Sequence, residues 1–323
     1  MPNTTQSPNV LVIGDAGVDI IVHLPKIQYE SSKVTDFKEP TIVGGGTSAN
    51  TAVALKRLGV NTSFLGTIGD DAHGKYVMDE FQNEGVNIDQ VIVDPQVHTF
   101  SIFAFIDEFG ERYPYVWPKK DLGFQKLDLD QVNVEAIRHA SWVHSSGISM
   151  MDDTSSRHSI IEIFRIAHHE GIPTSLDLNL RVMDGELDPD YKQAIIEVMN
   201  YCDYVLGSGE DEFYYLDPQE NWLDSVKTFA SNDRTIIARM GDEGSFAIQG
   251  SSVIKSAAYP VQVVDTLGAG DTYNAGFIAA RLSGENIQDS LSQANAVAAY
   301  SVSKEGARSS PTGDELERFL SGE

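Results

Sequence analysis

The sequence predicts an α/β fold: a doubly wound, mainly parallel sheet carrying a small β-sheet lid. Three observations point to it. Short continuous apolar runs alternate with helical patterns along most of the chain, as buried parallel strands and their crossover helices do. Two stretches, at about 16–44 and 98–118, break that alternation with extended segments that have no helix beside them. The 323 residues, 41% hydrophobic and 22% charged, suffice for one large domain with a substantial core. The expected organisation is one domain over 1–323, with the two interruptions building the lid.

The elements follow in order. "NVLVIGD" is a continuous apolar run ending in Gly14-Asp15, as a first buried strand would. "DIIVHLP" and "TIVGGG" are extended segments separated by a polar stretch around Ser31 to Asp36. "TSANTAVALKRLG" reads as a helix capped by Thr47 or Ser48 and stopped by Gly59. "TSFLGTIG" is the next strand and "DAHGKYVMDEFQNEG" the next helix. "HTFSIFAFID" and "RYPYVW" flank "EFGE" with period-two patterning, a hairpin. Alternation resumes with "SWVHSSG", a helix from about Thr154 to Glu170, "TSLDLN", a helix near Tyr191 to Met199, "DYVLGSG" and "TIIARMG". Short strands then run to Val264, and helices over Ala269 to Leu282, roughly Ile287 to Ser303, and near the C-terminus complete the chain.

Composition narrows the function classes. The formal charge is -25, from 48 acids against 23 bases, a surface that repels nucleic acid and anionic lipid. Cys202 is the single cysteine, so no internal disulfide can form, which fits a reducing cytoplasm. The opening "MPNTTQSPNV" lacks a signal-peptide pattern, and no apolar run is long enough to span a bilayer. A cytoplasmic location without membrane partners is expected.

Three glycine-rich turns are candidate phosphate sites, because unpaired N–H groups at a helix start point at an anion. Gly69 to Lys75, "GDDAHGK", has P-loop spacing, but Tyr76 follows where Ser or Thr should hold Mg²⁺, and Asp70 and Asp71 would repel phosphate. A helix-capping turn explains it. Gly44 to Ala49, "GGGTSA", fits the loose dinucleotide fingerprint and opens a nicotinamide-type reading; close helix–strand packing explains the glycines equally well. The third turn lies in "VDTLGAGDTYNAGF". There Val263-Val264 should end a strand, Asp265-Thr266 turn, and Gly268-Ala269-Gly270 expose successive N–H groups at a helix start. Asp271, in the first turn, serves either as a helix cap or in chemistry. The three small residues before it clear space for a ligand and favour chemistry.

At these residues the chain resembles the ribokinase-like (phosphofructokinase-B, PfkB) family of carbohydrate kinases. "DTLGAGDTYNAGFI", Asp265 to Ile278, matches the family's C-terminal signature at every position. "GGGTSANTAVALKRLG" followed by "FLGTIGDDAHG" is similar to its N-terminal signature, with Ser48 where Gly, Ala or Pro is usual. The resemblance implies transfer of a phosphoryl group from ATP, with Mg²⁺, to a sugar hydroxyl. It implies Asp271 as catalytic base, with Gly268, Ala269 and Gly270 as the anion hole. Asp19, Gly45, Gly46, Asn50 and Arg181 resemble sugar-binding residues. Arg239, Gly241 and Gly244, in "ARMGDEGS", resemble the nucleotide loop, and Asn295 a residue beside the adenine. Glu212 resembles the acid that organises Mg²⁺. Asp265, with "SKEGARSS", resembles the pair of loops that holds a monovalent cation such as K⁺ in many relatives.

Two departures stand out. The family commonly has N-x-x-E where "GSGEDE" has Gly209 before Glu212, with Asp177 or Asn179 as compensating groups. The D-x-N-x-R of "LDLNLR" resembles fructokinases and 2-keto-3-deoxygluconate kinases, yet "RYPYVW" offers Trp117 where an acid-sugar kinase tends to place an Arg. A small neutral sugar, fructose- or ribose-like, is the expected substrate. A nucleoside kinase of the same family, left open by Tyr113, Tyr115 and Trp117, and a non-catalytic sugar sensor, suggested by Gly209, are the alternatives. The apolar "FSIFAF" on the lid needs a cover, and the resemblance implies a homodimer through it.

Overall fold

The computed structural model describes residues 8–24, 39–107, 109 and 111–322. The polar stretch around Ser31 to Asp36, together with Glu108 and Gly110 of the expected hairpin segment, lies outside them, as do residues 1–7 of the opening segment.

The main sheet has nine strands. In chain order they are β1 (Asn9–Ile13), β4 (Asn61–Gly69), β5 (Asn87–Asp94), β8 (Trp142–Ser146), β9 (Thr174–Asp177), β10 (Tyr204–Ser208), β11 (Thr235–Arg239), β12 (Ser245–Gln249) and β13 (Ser252–Ser256). Their spatial order is β13-β12-β11-β10-β9-β8-β1-β4-β5, parallel from β11 to β5, with β12 and β13 antiparallel at one edge. A separate sheet is ordered β3-β2-β6-β7, from β2 (Gly17–His23), β3 (Thr41–Gly45), β6 (Ser101–Ile106) and β7 (Arg112–Trp117). The two interruptions seen in the sequence meet there through the parallel β2–β6 pair. The β6–β7 hairpin pairs Phe103 with Tyr115.

Helices cover both faces: α1 (Thr47–Arg57), α2 (Ala72–Glu84), α3 (Val134–Arg138), α4 (Ser155–His169), α5 (Pro189–Met199), α6 (Tyr214–Leu216), α7 (Trp222–Phe229), α8 (Ala269–Leu282), α9 (Ile287–Val302) and α10 (Gly313–Ser321). The apolar run of β1 shows why a strand of this kind needs two covers. Side chains alternate across a strand, so Leu11 and Ile13 enter the core under α4 and α5, whereas Val10 and Val12 enter the core under α1 and α8. Each is at most 1% exposed. Among the described residues no helix is long and apolar enough to cross a membrane.

Two expectations need correction, and two elements went unread. Val263 and Val264 end no strand; the chain after β13 is irregular and both side chains are exposed, which sets the loop before α8 at the surface. The first residue of α1 is preceded by Gly46 at φ 97°, and neither Thr47 nor Ser48 caps the helix through its side chain. The edge strand β5 and helix α7 escaped notice, β5 because its half-exposed "NIDQVIVD" lacks the continuous apolar run of an inner strand.

Candidate active site

The helix start singled out in the sequence is open. Gly268, at φ 74°, precedes α8 and puts the chain into a left-handed turn that glycine adopts without strain. A Cβ there would lie 2.5 Å from the Ala307 carbonyl oxygen. The first N–H groups of a helix have no intrahelical acceptor. Among the described residues the N–H groups of Gly268, Gly270 and Asp271 donate to none, while Ala269 donates to Thr266 O at 3.2 Å. Asp271 caps nothing: α8 has no side-chain cap, and its carboxylate accepts instead from Asn50 Nδ2 at 2.8 Å, across the cleft. Burial, with Asp177 and Asp15 nearby, pushes its pKa well above the ordinary carboxylate range; the Asn50 amide and Arg239 oppose that rise.

The facing helix start is closed. At the head of α1 the carboxylate of Asp15 accepts from Thr47 N at 2.8 Å, Ser48 N at 3.0 Å and Thr47 Oγ1 at 3.1 Å. An intramolecular anion thus holds the place a pyrophosphate would need, which removes the nicotinamide reading of Gly44 to Ala49. Asp71 does the same for the P-loop look-alike, capping α2 at Gly74 N, 2.8 Å away.

Between the two helix starts lies a cavity of about 1170 Å³ that brings together Asp19, Gly46, Asn50, Arg181, Glu212 and Asp271 with the glycine turn before α8. Asp19 projects from β2, and its Oδ1 is buried with no hydrogen-bond partner among the described residues. Burial raises its pKa to about 6, partly offset by Arg308 and reinforced by Asp15 and Glu80. Gly45 is small for a reason: a Cβ would lie 2.6 Å from Asp19 Oδ1. Arg181 donates to Asn179 Oδ1 at 2.6 Å at the cavity wall. Tyr113, Tyr115 and Trp117 face outward and only Val116 of that strand lines the cavity, so the aromatic base pocket a nucleoside would use is not built from them.

A second cavity, about 700 Å³, is lined by Gly241, Gly244, Tyr273 and Asn295. It shares Arg239, Ala269 and Gly270 with the first, so the open helix start stands at the seam. Gly244 sits at φ 94°, and a Cβ there would lie 2.2 Å from Ser256 O. Asn295 spends its amide inside the protein, donating to Ser256 O (3.1 Å) and Ala257 O (3.2 Å) and accepting from Ser245 Oγ (3.2 Å). It shapes the cavity wall.

Arg239 ends β11 and donates to Asp177 at 2.7 Å, Glu212 at 3.4 Å and Asn274 at 3.2 Å. Burial works against its charge, but Asp177 and Glu212 more than offset this and hold its pKa above the usual value. Glu212 has both oxygens occupied: Oε1 accepts from Leu180 N at 2.7 Å and Oε2 from Ser208 N at 2.5 Å. Gly209 has a packing reason. A Cβ there would lie 2.5 Å from the Trp222 ring, so the indole fills the room an Asn would take. Asp265 is likewise committed, accepting from Leu267 N (3.0 Å), Gly306 N (3.0 Å) and Arg112 Nη2 (2.9 Å). Burial alone would raise its pKa; those donors outweigh it and hold the carboxyl below its usual range.

Sequence reading missed Asp15, Arg112, Trp222 and Arg308, whose partners lie on other elements of the fold. Asp15 at the end of an apolar strand was the one visible signal.

Known proteins resemble this chain along nearly its whole length. Over 98% of this chain and 96% of its own length, a 5-dehydro-2-deoxygluconokinase of Halalkalibacterium halodurans is 26% identical. An ATP-dependent ribose-1-phosphate kinase of Halopiger xanaduensis is 28% identical over 97% of this chain and 98% of its own. A fructokinase of Xylella fastidiosa, solved with bound ATP, superposes with a TM-score of 0.84 at 21% identity, covering 97% of this chain and 98% of that one, a likeness of fold. Residues 7–313 match the pfkB family carbohydrate kinases, and the chain belongs to that family.

Proposed function

We propose that the chain is an ATP-dependent sugar kinase that transfers the γ-phosphoryl group of ATP to a hydroxyl of a small neutral sugar. The observation that carries this reading is the set of unpartnered N–H groups at the head of α8, at the seam of two cavities and beside a buried carboxylate that caps nothing. The sugar occupies the larger cavity, where the orphaned Asp19 Oδ1 accepts from a hydroxyl and Gly45, Gly46 and Arg181 close the site. ATP occupies the smaller cavity, beside Gly241, Gly244 and Asn295. Phosphoryl transfer is mostly positioning and charge stabilisation. Asp271 takes the proton of the attacking hydroxyl, its raised pKa making it the stronger base. The charge growing on the transferring group is received by the N–H groups of Gly268, Gly270 and Asp271, with Ala269 free to join once it leaves Thr266. Arg239 adds positive charge next to Gly270.

Mg²⁺ arriving with the nucleotide would neutralise phosphate charge. Among the described residues no cluster of three acids, His or Cys forms a cage for it. With both Glu212 oxygens occupied, that residue fits as the holder of Arg239, and Asp211, exposed at the rim of both cavities, fits the metal better. A monovalent cation fits poorly at Asp265, where the Arg112 guanidinium already stands, and no step is routed through one.

Acids outnumber bases along the larger cavity by seven to three, which favours an uncharged polyol over a carboxylated or phosphorylated one. With Gly209 explained by Trp222, the sensor reading loses its motive. The exposed Tyr113, Tyr115 and Trp117 on β7 suit a homodimer contact through the small sheet, checked by light scattering, and ATP use suits the cytoplasm. ADP release tests the substrate class, with fructose, ribose, ribose 1-phosphate, 5-dehydro-2-deoxygluconate and adenosine compared. The highest kcat/KM is expected on a neutral sugar; preference for an anionic one or for adenosine overturns the assignment.

A further inference from the structure

Arg308, in the loop between α9 and α10, has a side chain only 7% exposed and uses it on three elements at once. Nε donates to Asn50 Oδ1 at 3.0 Å, Nη1 to Glu80 Oε2 at 2.5 Å, and Nη2 to the Gly45 carbonyl at 3.2 Å. Asn50 in turn donates Nδ2 to Asp271 Oδ2 at 2.8 Å. A guanidinium has donors only, so it can meet only the oxygen end of the amide. Its presence therefore fixes which way Asn50 faces: the NH₂ group points at Asp271. Turned over, the amide would set its oxygen against a carboxylate and its NH₂ against a cation. The backbone makes room for the clamp at Gly44, where a Cβ would lie 1.8 Å from Glu80 Oε2 and 2.5 Å from the Arg308 guanidinium carbon.

We infer that Arg308 is a positioning residue for catalysis: held by Glu80, it locks the Asn50 amide and the Gly45 carbonyl, and through Asn50 it fixes the Asp271 carboxylate toward the attacking hydroxyl. The inference rests on the reading of Asp271 as base. The chain Glu80–Arg308–Asn50–Asp271 joins α2, the loop before α10, α1 and α8, so the base is aimed by parts of the molecule remote in sequence. An Arg with one donor for each of three acceptors does this where a Lys, a point charge, cannot hold the same fork.

A double-mutant cycle on kcat tests it, with Arg308→Met, Asn50→Ala and the pair together, and sugar and ATP KM read alongside. Arg308→Met is expected to lower kcat on the order of 10- to 100-fold, the scale of a misplaced reacting group, with ATP KM unchanged. The double variant should then lose no more than Asn50→Ala alone. Losses that multiply, or full kcat in Arg308→Met, overturn the clamp. Glu80→Gln, which keeps the arginine and loosens its hold, covers the case of a misfolded Arg308→Met: a smaller kcat loss, again absent on the Asn50→Ala background, is expected, and an equal loss on both backgrounds overturns the proposal. Asp271→Asn run beside these separates the two ideas, since full turnover there overturns the base itself, whereas multiplying losses at 308 and 50 overturn only the clamp.

Discussion

Two glycine-flanked helix starts face each other across the cleft, and they differ in one respect. At α1 the first N–H groups are already taken by Asp15; at α8 those of Gly268, Gly270 and Asp271 are open. The same backbone device serves stability in one place and, on the proposed function, anion recognition in the other. What separates them is whether the fold supplies its own carboxylate, and that residue lies 32 positions from Thr47 in sequence. A glycine pattern therefore indicates where a chain turns into a helix; a neighbouring acid decides whether a ligand can follow.

The comparison can be broken at either helix. The largest effect is expected at the open one. Asp271→Asn should cut kcat about 10²- to 10⁴-fold, the range of a positioned base, with thermal stability unchanged or higher, because a buried charge is gone. Steady-state turnover and a melting curve check both halves. At the closed helix the roles reverse. Asp15→Ala should destabilise the protein by about 1–3 kcal/mol, the range for buried donors left unsatisfied, read as a lower denaturation midpoint.

Asp19 sharpens the same contrast, since it is a buried acid whose Oδ1 has no partner among the described residues. Its folded-state pKa, about 6, stands above the ordinary aspartate value of 3.8. The stability tied to its protonated form is complete below pH 3.8 and is lost as pH rises through 6. Asp19→Asn should therefore stabilise the protein at pH 7.5 by roughly 2–3 kcal/mol, with the gain fading below pH 4, while sugar KM rises. Melting curves at both pH values and a sugar titration decide it. The smallest effect is expected at Arg112→Ala, whose half-exposed pairing with Asp265 is worth about 1 kcal/mol or less. Turnover of the unsubstituted enzyme should be the same in K⁺ and tetramethylammonium salts; a strict K⁺ requirement would show that Arg112 does not stand in for the cation.

The sheet was legible because its inner strands are continuous apolar runs, and β1 needs no more than its own five residues to announce two cores. The open helix start was legible too, since Gly268-Ala269-Gly270-Asp271 is contiguous. What escaped were interactions whose partners meet only in the folded chain. Asp15 reaches α1 from the end of β1. Trp222 fills the space beside Gly209. Arg112 crosses from the small sheet to Asp265, and Arg308 ties α2 to Asn50. Each depends on side-chain reach across elements, and local periodicity carries no information about that. Val263-Val264 misled for the same reason: β-branched residues favour strands, but no neighbouring strand comes to pair with them.

The most direct test is amide hydrogen exchange at the two helix starts, with and without ADP and a planar metal-fluoride mimic of the transferring phosphoryl group. In the free enzyme the N–H groups of Gly268, Gly270 and Asp271 should exchange fast and those of Thr47 and Ser48 slowly. Adding nucleotide and mimic should protect 268–271 and leave 47–48 as they were. Protection arising at 47–48, or none at 268–271, would contradict the assignment of the open helix start as the anion site.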